Sequence, residues 1–301
     1  MSVAVAALPG VPPNLLGESA FWHPAEQALY WCDIPGRALN RYDPRRCAHR
    51  LWRLDSEPGC CAPLMEGGLL LALRRGLACF DPRSGRLEDL PGTCPYDPRF
   101  ERFNDGKADV QGRMWVGTIY EPRDAPKAAL YRWGDGEMAK MADRITTSNG
   151  LAWSPDARTM YWADTPAHTV YAFDFERAGG ALSNRRVFVQ FAPKVAGQDL
   201  SAYGGRPDGA AVDNEGHYWV AMFEGARVLR IAPDGSVSRE VALPVRCPTM
   251  PCFGGADLKT LYITTAREKR PAEELAREPL AGCVLTLRVD VPGLPANLAR
   301  L

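Results

Sequence analysis

The stretch LAWSPDARTMYWADTPAHTVYAFDFE, residues 151–176, reads as strand, turn, strand, turn, strand. An apolar opening closes on Ser-Pro-Asp, a Tyr-Trp doublet starts a second segment, and a third runs into Phe-Asp-Phe. Proline pre-sets one turn dihedral and aspartate bonds nearby backbone, so these residues punctuate short aromatic and β-branched strands. No sustained 3.6-residue apolar period competes with that reading.

The same unit recurs along the chain. Its other copies are AFWHPAEQALYWCDIPGRALNRYDP, PLMEGGLLLALRRGLACFDPRSG, ADVQGRMWVGTIYEP with ALYRWGDG, AAVDNEGHYWVAMFEGARVLRIAPDG, and CFGGADLKTLYITTAREK with GCVLTLRVD. Trp31, Leu71, Trp115, Trp162, Trp219 and Tyr262 mark equivalent points, spaced by about 40 to about 57 residues, near the length of a propeller blade. We therefore expect an all-β, six-bladed propeller filling residues 1–301 as a single domain, because radial repetition leaves only short, protected sheet edges. The segment VAVAAL near the start should close the ring on the last blade, and RPAEELARE, residues 270–278, should form one short helix with Pro271 in its first turn.

Composition narrows the function. Lys and Arg number 36 against 36 Asp and Glu, so no net field draws the chain to nucleic acid or an anionic membrane. There is no charged and apolar leader pattern and no apolar run of about 18 residues, so a cytoplasmic, soluble protein is expected. Nine cysteines lack paired CxxC spacing and an odd number suits reduced, buried thiols, although the adjacent Cys60-Cys61 pair hints at redox sensitivity. His23, His49, His168 and His217 fall at unrelated blade positions, where surface or turn roles are expected. The GxSxG, HExxH, Walker and GxGxxG patterns are absent, which removes the usual carriers of serine hydrolase, zincin, nucleotide and dinucleotide chemistry.

Four blades share an oxygen-bearing side chain at nearly the same offset. Glu18 lies 13 residues before Trp31, Asn104 lies 11 before Trp115, Asn149 lies 13 before Trp162, and Asp208 lies 11 before Trp219. Residues just before the innermost strand of each blade should gather at one mouth of the central channel. Two carboxylates and two carboxamides converging there would stay poorly satisfied without a positive partner, which points to one divalent cation. All-oxygen ligation suits Ca²⁺, Mg²⁺ or Mn²⁺ ahead of Zn²⁺ or Fe. Singly, Asn104-Asp105-Gly106, Asn149-Gly150 and Asp208-Gly209 read as turn dipeptides, with Gly106 free to take a positive φ and Lys107 and Asp109 serving the blade.

The motifs LGES (16–19) with Trp22, RFNDGKAD (102–109) then GRMWVGT, SNGLAWSPD (148–156) then MYWADT, and RPDGAAVD (206–213) then GHYWVA occur in order over nearly the whole chain. In these the chain resembles the gluconolactonase and regucalcin-like (senescence marker protein) family of sugar-lactone hydrolases. The stretches VFVQFA, KTLYITTAR and EPLAGCV are most similar to its bacterial aldonolactonase branch. The resemblance implies a metal held by Glu18, Asn149 and Asp208, with Asp208 also the catalytic base, and substrate contacts from Arg102, Asn104 and Glu121. The partner it implies is a small sugar lactone, with no nucleic acid or membrane partner. A non-catalytic calcium-binding propeller, or an esterase or organophosphate hydrolase on the same scaffold, stands as the alternative. One departure is visible: relatives usually read GEGP where this chain reads GESA, which should loosen the turn behind Glu18.

Overall fold

The computed structural model describes residues 5–301. Six four-stranded antiparallel sheets form a six-bladed propeller, with sequence neighbours hydrogen-bonded to one another in five of them and the first strand of the chain completing the sixth. The innermost strands are Gly17–His23, Pro58–Pro63, Glu101–Ala108, Ser148–Trp153, Arg206–Val212 and Pro248–Gly254. Each packs on the next in chain order, and the last returns to the first. Trp31, Leu71, Trp115, Trp162, Trp219 and Tyr262 all fall on the second strands of their blades, as the repeat spacing requires. The helix is Ala272–Arg277, capped by Pro271. None of the described residues forms a helix long and apolar enough to cross a membrane.

Burial falls off from axis to rim. Inner strands such as Ser148–Trp153 are buried at every position, whereas the outer strand Leu182–Gln190 is mostly exposed. A buried indole must still satisfy its N–H. In blades three and five an aspartate does this and also builds the preceding hairpin. The Asp109 carboxylate accepts from Gln111 N, Arg113 N, Arg113 Nε (2.7 Å) and Trp115 Nε1 (2.8 Å). Asp213 accepts from Glu215 N, His217 N, Trp219 Nε1 (2.9 Å) and Arg230 Nε (2.8 Å). Asp109 thus serves its blade, as expected.

Every innermost pairing contains a one-residue register shift, at Glu18/Phe21, Pro58/Cys60, Phe103/Gly106, Asn149/Ala152, Pro207/Ala210 and Pro248/Met250. These β-bulges overturn the turn readings of the sequence. RFNDGKA lies inside one strand, and Asn149-Gly150 and Asp208-Gly209 are likewise within inner strands. Gly106 does not take a positive φ, although Gly150 does, at 62°.

Both ends of the chain close the ring. Ala6–Ala7 pairs with Leu285–Thr286 as the outer strand of the last blade. This matches the expectation for VAVAAL, of which Val3 and Ala4 lie outside the described residues. At the other end, Leu294 N donates to Val212 O of blade five, Ala299 N to Pro63 O of blade two, and Arg300 N to Gly112 O of blade three. The C-terminal segment therefore straps the channel face opposite the Glu18 end.

The histidines and cysteines depart in part from expectation. His23 and His168 are buried, and His168 Nε2 lies 2.6 Å from the Tyr203 hydroxyl. No cysteine is in a disulfide, and Cys47 is exposed. The Asp213 network predicts that Asp213→Ala destabilises by about 3 kcal/mol or more, since it strands a buried Arg230 and an indole. Urea unfolding checks this, and an unchanged midpoint would contradict it.

Candidate functional site

Bulges on four inner strands carry Glu18, Asn104, Asn149 and Asp208 to one end of the channel, where all four are buried. In a regular strand, alternate side chains point to opposite faces of the sheet. An extra residue breaks that alternation and re-aims a side chain, here along the axis. The residues lie within the strands, and not before them as the sequence suggested.

Hydrogen bonds join them. Asn104 Nδ2 donates to Asn149 Oδ1 (2.8 Å) and to Ser148 O (2.8 Å). Asn149 Nδ2 donates to Thr165 Oγ1 (2.8 Å), which in turn bonds Pro207 O (2.7 Å), beside Asp208. These bonds fix both carboxamides, with Asn149 Oδ1 accepting from Asn104 and Asn104 Oδ1 accepting from Arg102. Behind Glu18, Ser19 holds φ at 52°, its hydroxyl accepts from Cys61 N (2.9 Å), and its carbonyl receives the Cys61 thiol (3.7 Å). The expected loosening at GESA is not what the structure displays: Ser19 is tied to blade two. Cys61 Sγ also lies 3.6 Å from Cys32 Sγ, so it is Cys32, and not its sequence neighbour Cys60, that faces it.

The carboxylates are strained by one another's company. Burial pushes the Glu18 carboxyl well above its usual range, and the charges of Asp208 and Asp105 add to the effect. Burial raises Asp208 to about 8, with Asp105 adding and Arg206 and Asn149 opposing. Neither is paired with an arginine, lysine or histidine among the described residues. Buried carboxylates without counter-charge are costly, so the site favours a cation. The described residues hold no cluster of three His, Cys, Asp or Glu side chains poised for a metal. The set here has two carboxylates and completes its oxygens with Asn149, which fits a hard, oxygen-seeking ion.

Arg102 is buried, and its Nη1 donates to Asn104 Oδ1 (2.8 Å) and Phe103 O (3.0 Å). Its Nε lies 3.6 Å from Glu121 Oε1. Glu121 sits at the rim, gripped by both terminal nitrogens of Arg74 at 2.8 and 2.9 Å. The structure thus brings Arg102, Asn104, Asn149, Asp208 and Glu18 together, with Glu121 one step outward as the anchor of Arg102.

Sequence reading missed Arg74 and Asp105. Asp105 follows Asn104 in the bulge, and its Oδ2 accepts from Leu151 N (2.9 Å) while its Oδ1 is buried without a hydrogen bond. The signal was there in Asn-Asp-Gly, but it reads equally as a turn. Lys107 reaches from blade three to the carbonyl of Ala210 in blade five, across the channel. Beyond it, at the strapped face, lies a cavity of about 280 Å³ lined by Phe21, Trp22, Trp153 and Phe253, with Lys107 its one charged group. Lacking any acid–base pair or ligand set, that cavity is not the candidate site.

The sequence and the fold are both shared with known proteins. Residues 16–267 match the family model described as SMP-30/Gluconolactonase/LRE-like region. The chain is 45% identical over 282 residues to a 6-deoxy-6-sulfogluconolactonase of Pseudomonas putida, covering 93% of this chain and 94% of that protein. It is 36% identical over 294 residues to regucalcin of Danio rerio, covering 94% of each. Among solved structures, a calcium-binding regucalcin of Agrobacterium tumefaciens superposes with a TM-score of 0.91 at 26% identity, covering 100% of this chain and 99% of that one.

Gly106 sets how closely blades two and three approach at the site. A Cβ there would stand 2.6 Å from Cys60 Sγ and 2.6 Å from Trp115 O. Gly106→Ala is therefore expected to lower stability by about 2 kcal/mol through overpacking. A denaturation midpoint equal to that of the parent protein would contradict the packing described.

Proposed function

The chain belongs to the SMP-30/gluconolactonase/LRE-like family, and from that membership we propose that it is a carboxylic-ester hydrolase that opens sugar lactones to aldonic acids with the help of a divalent cation. The observation that carries this reading is the buried convergence of Glu18, Asn149 and Asp208, unpaired with any protein cation, beside an arginine bonded to Asn104. The P. putida relative bears a lactonase name and the A. tumefaciens relative is titled calcium-binding, and both features suit this donor set.

Glu18, Asn149 and Asp208 would hold the ion. When bound, it supplies Lewis-acid polarisation of the lactone carbonyl and offsets the charge that gathers on the carbonyl oxygen. Asp208 takes a proton from the attacking water as the new C–O bond forms and gives it to the ring oxygen as the C–O ring bond breaks, so that this oxygen leaves as the sugar's own hydroxyl. Arg102 donates to the sugar hydroxyls and Asn104 accepts from them at Oδ1, its amide hydrogens being taken by Asn149 and Ser148, and together they hold the carbonyl within reach of that water, which contributes orientation. Glu121 keeps the Arg102 guanidinium in place and meets hydroxyls at the rim. Because strained lactones also open unaided, the barrier left to lower is small and this modest machinery suffices.

A non-catalytic calcium-binding propeller would have no use for Arg102, since a guanidinium beside a cation site only repels the ion. Acid release from glucono-, galactono-, xylono- and arabinonolactone, followed with a pH indicator, tests the reading: at least one should open well above background, and none opening would favour the binder. Asp208→Ala is expected to lower kcat/KM about a hundredfold or more. Glu18→Gln should weaken metal retention in equilibrium dialysis. Full activity of either variant in metal-depleted buffer would overturn the mechanism.

A further inference from the structure

The channel mouth is electrically lopsided. On the side of blades two and three, Arg74 and Arg102 face Glu57 and Glu121, and the charges balance. On the side of blades five and six, Arg206, Arg246 and Arg270 all converge on Glu224, at 3.4, 3.1 and 3.0 Å. Two further carboxylates lie there: Glu274 is taken by the Arg246 guanidinium, with contacts of 3.0 and 2.7 Å, and Glu278 accepts from the Arg246 backbone N–H at 2.9 Å. Lys194 adds a fourth cation, its ammonium 5.4 Å from the Tyr203 ring centre on the loop that leads into blade five. Four cationic side chains thus face three carboxylates, one of them, Glu278, turned to a backbone N–H.

Arg246 has a structural task, because through Glu274 and Glu278 it ties the helix Ala272–Arg277 to blade six. Arg206 has none that its contacts account for. It makes the longest of the three approaches to Glu224, and its Nε is buried with no hydrogen-bond partner. The guanidinium is braced over the Phe223 ring at 5.2 Å, with Arg270 over the same ring at 6.0 Å. A braced guanidinium with an unused donor is pre-organised for a planar, forked contact with an oxyanion. Arg206 also stands two residues before Asp208 on the same inner strand, which is about 7 Å of strand and comparable with the reach of a short sugar chain.

Resting on the lactonase reading above, we propose that this half of the mouth is an oxyanion subsite, in which Arg206, flanked by Arg270 and Lys194, receives a sulfonate or phosphate borne by the sugar at the end remote from the lactone carbonyl. The preferred substrates are then anionic sugar lactones, and the neutral aldonolactones are the poorer members of the set. Direct bonds from guanidinium to a tetrahedral oxyanion supply binding in ground state and transition state alike, so the preference resides in KM more than in kcat.

The test compares gluconolactone with 6-phosphogluconolactone and 6-deoxy-6-sulfogluconolactone on the metal-loaded protein. KM for the two charged lactones is expected to lie about tenfold or more below that for the neutral one, and the pair of charged probes separates phosphate from sulfonate. Arg206→Gln should collapse that ratio toward one, and Arg206→Lys should keep part of it. Equal KM values for neutral and charged lactones in the parent protein overturn the subsite and leave the lactonase reading intact. A loss in Arg206→Gln that falls equally on all three lactones assigns Arg206 a merely structural role and also overturns it. If none of the three opens above background, the subsite is overturned, and the lactonase reading fails with it only if galactono-, xylono- and arabinonolactone stay closed as well.

Discussion

One extra residue in each innermost strand is the constraint on which the site depends. A strand of strict period two would send Glu18, Asn149 and Asp208 into the packed layers between blades, where a carboxylate has no partner. The register shift turns them to the axis instead, and does so on blades one, four and five alike, so side chains far apart in the chain meet without any loop having to fold back. Blades two and six carry the same bulge but place Gly59 and Thr249 in it. The backbone device is therefore a property of the propeller, and the chemistry is decided by which blades fill it with oxygen.

Collecting buried carboxylates in this way sets up an electrostatic debt that the scaffold settles only in part. Two other buried acids are neutralised internally: Asp109 and Asp213 each accept four hydrogen bonds, including one from an arginine side chain. Glu18 and Asp208 have no such arginine. Arg102 is close but is committed to Asn104, Phe103 O and Glu121, and Lys107 is committed to Ala210 O. The contrast within one chain separates acids that hold blades together from acids left open to an external cation.

The repeat architecture was legible in the sequence because it is written redundantly: each blade restates the doublet, the turn and the spacing, and all six marker residues land on second strands. The candidate site was legible for the same reason, as a shared offset. What failed was local. Asn-Gly, Asp-Gly and Asn-Asp-Gly are turn dipeptides in isolation, and nothing in eight residues distinguishes a turn from a bulge in a buried strand, where Gly106 is needed for close approach and not for its φ. Asp105 was hidden behind that misreading. Arg74 and Arg206 were hidden for another reason: they act by charge on groups far away in sequence, and such pairings have no periodic signature.

The way the ring is latched says something about when the molecule becomes itself. The outer strand of the last blade is supplied by a segment upstream of all six blades, while the strap that ties blades two, three and five is supplied by a segment downstream of them. Early blades can begin to order on the ribosome, since domains fold from the N-terminus as they emerge. The circle closes only when the sixth blade presents Leu285–Arg288, and until then Ala6–Ala7 must wait as an unpaired edge.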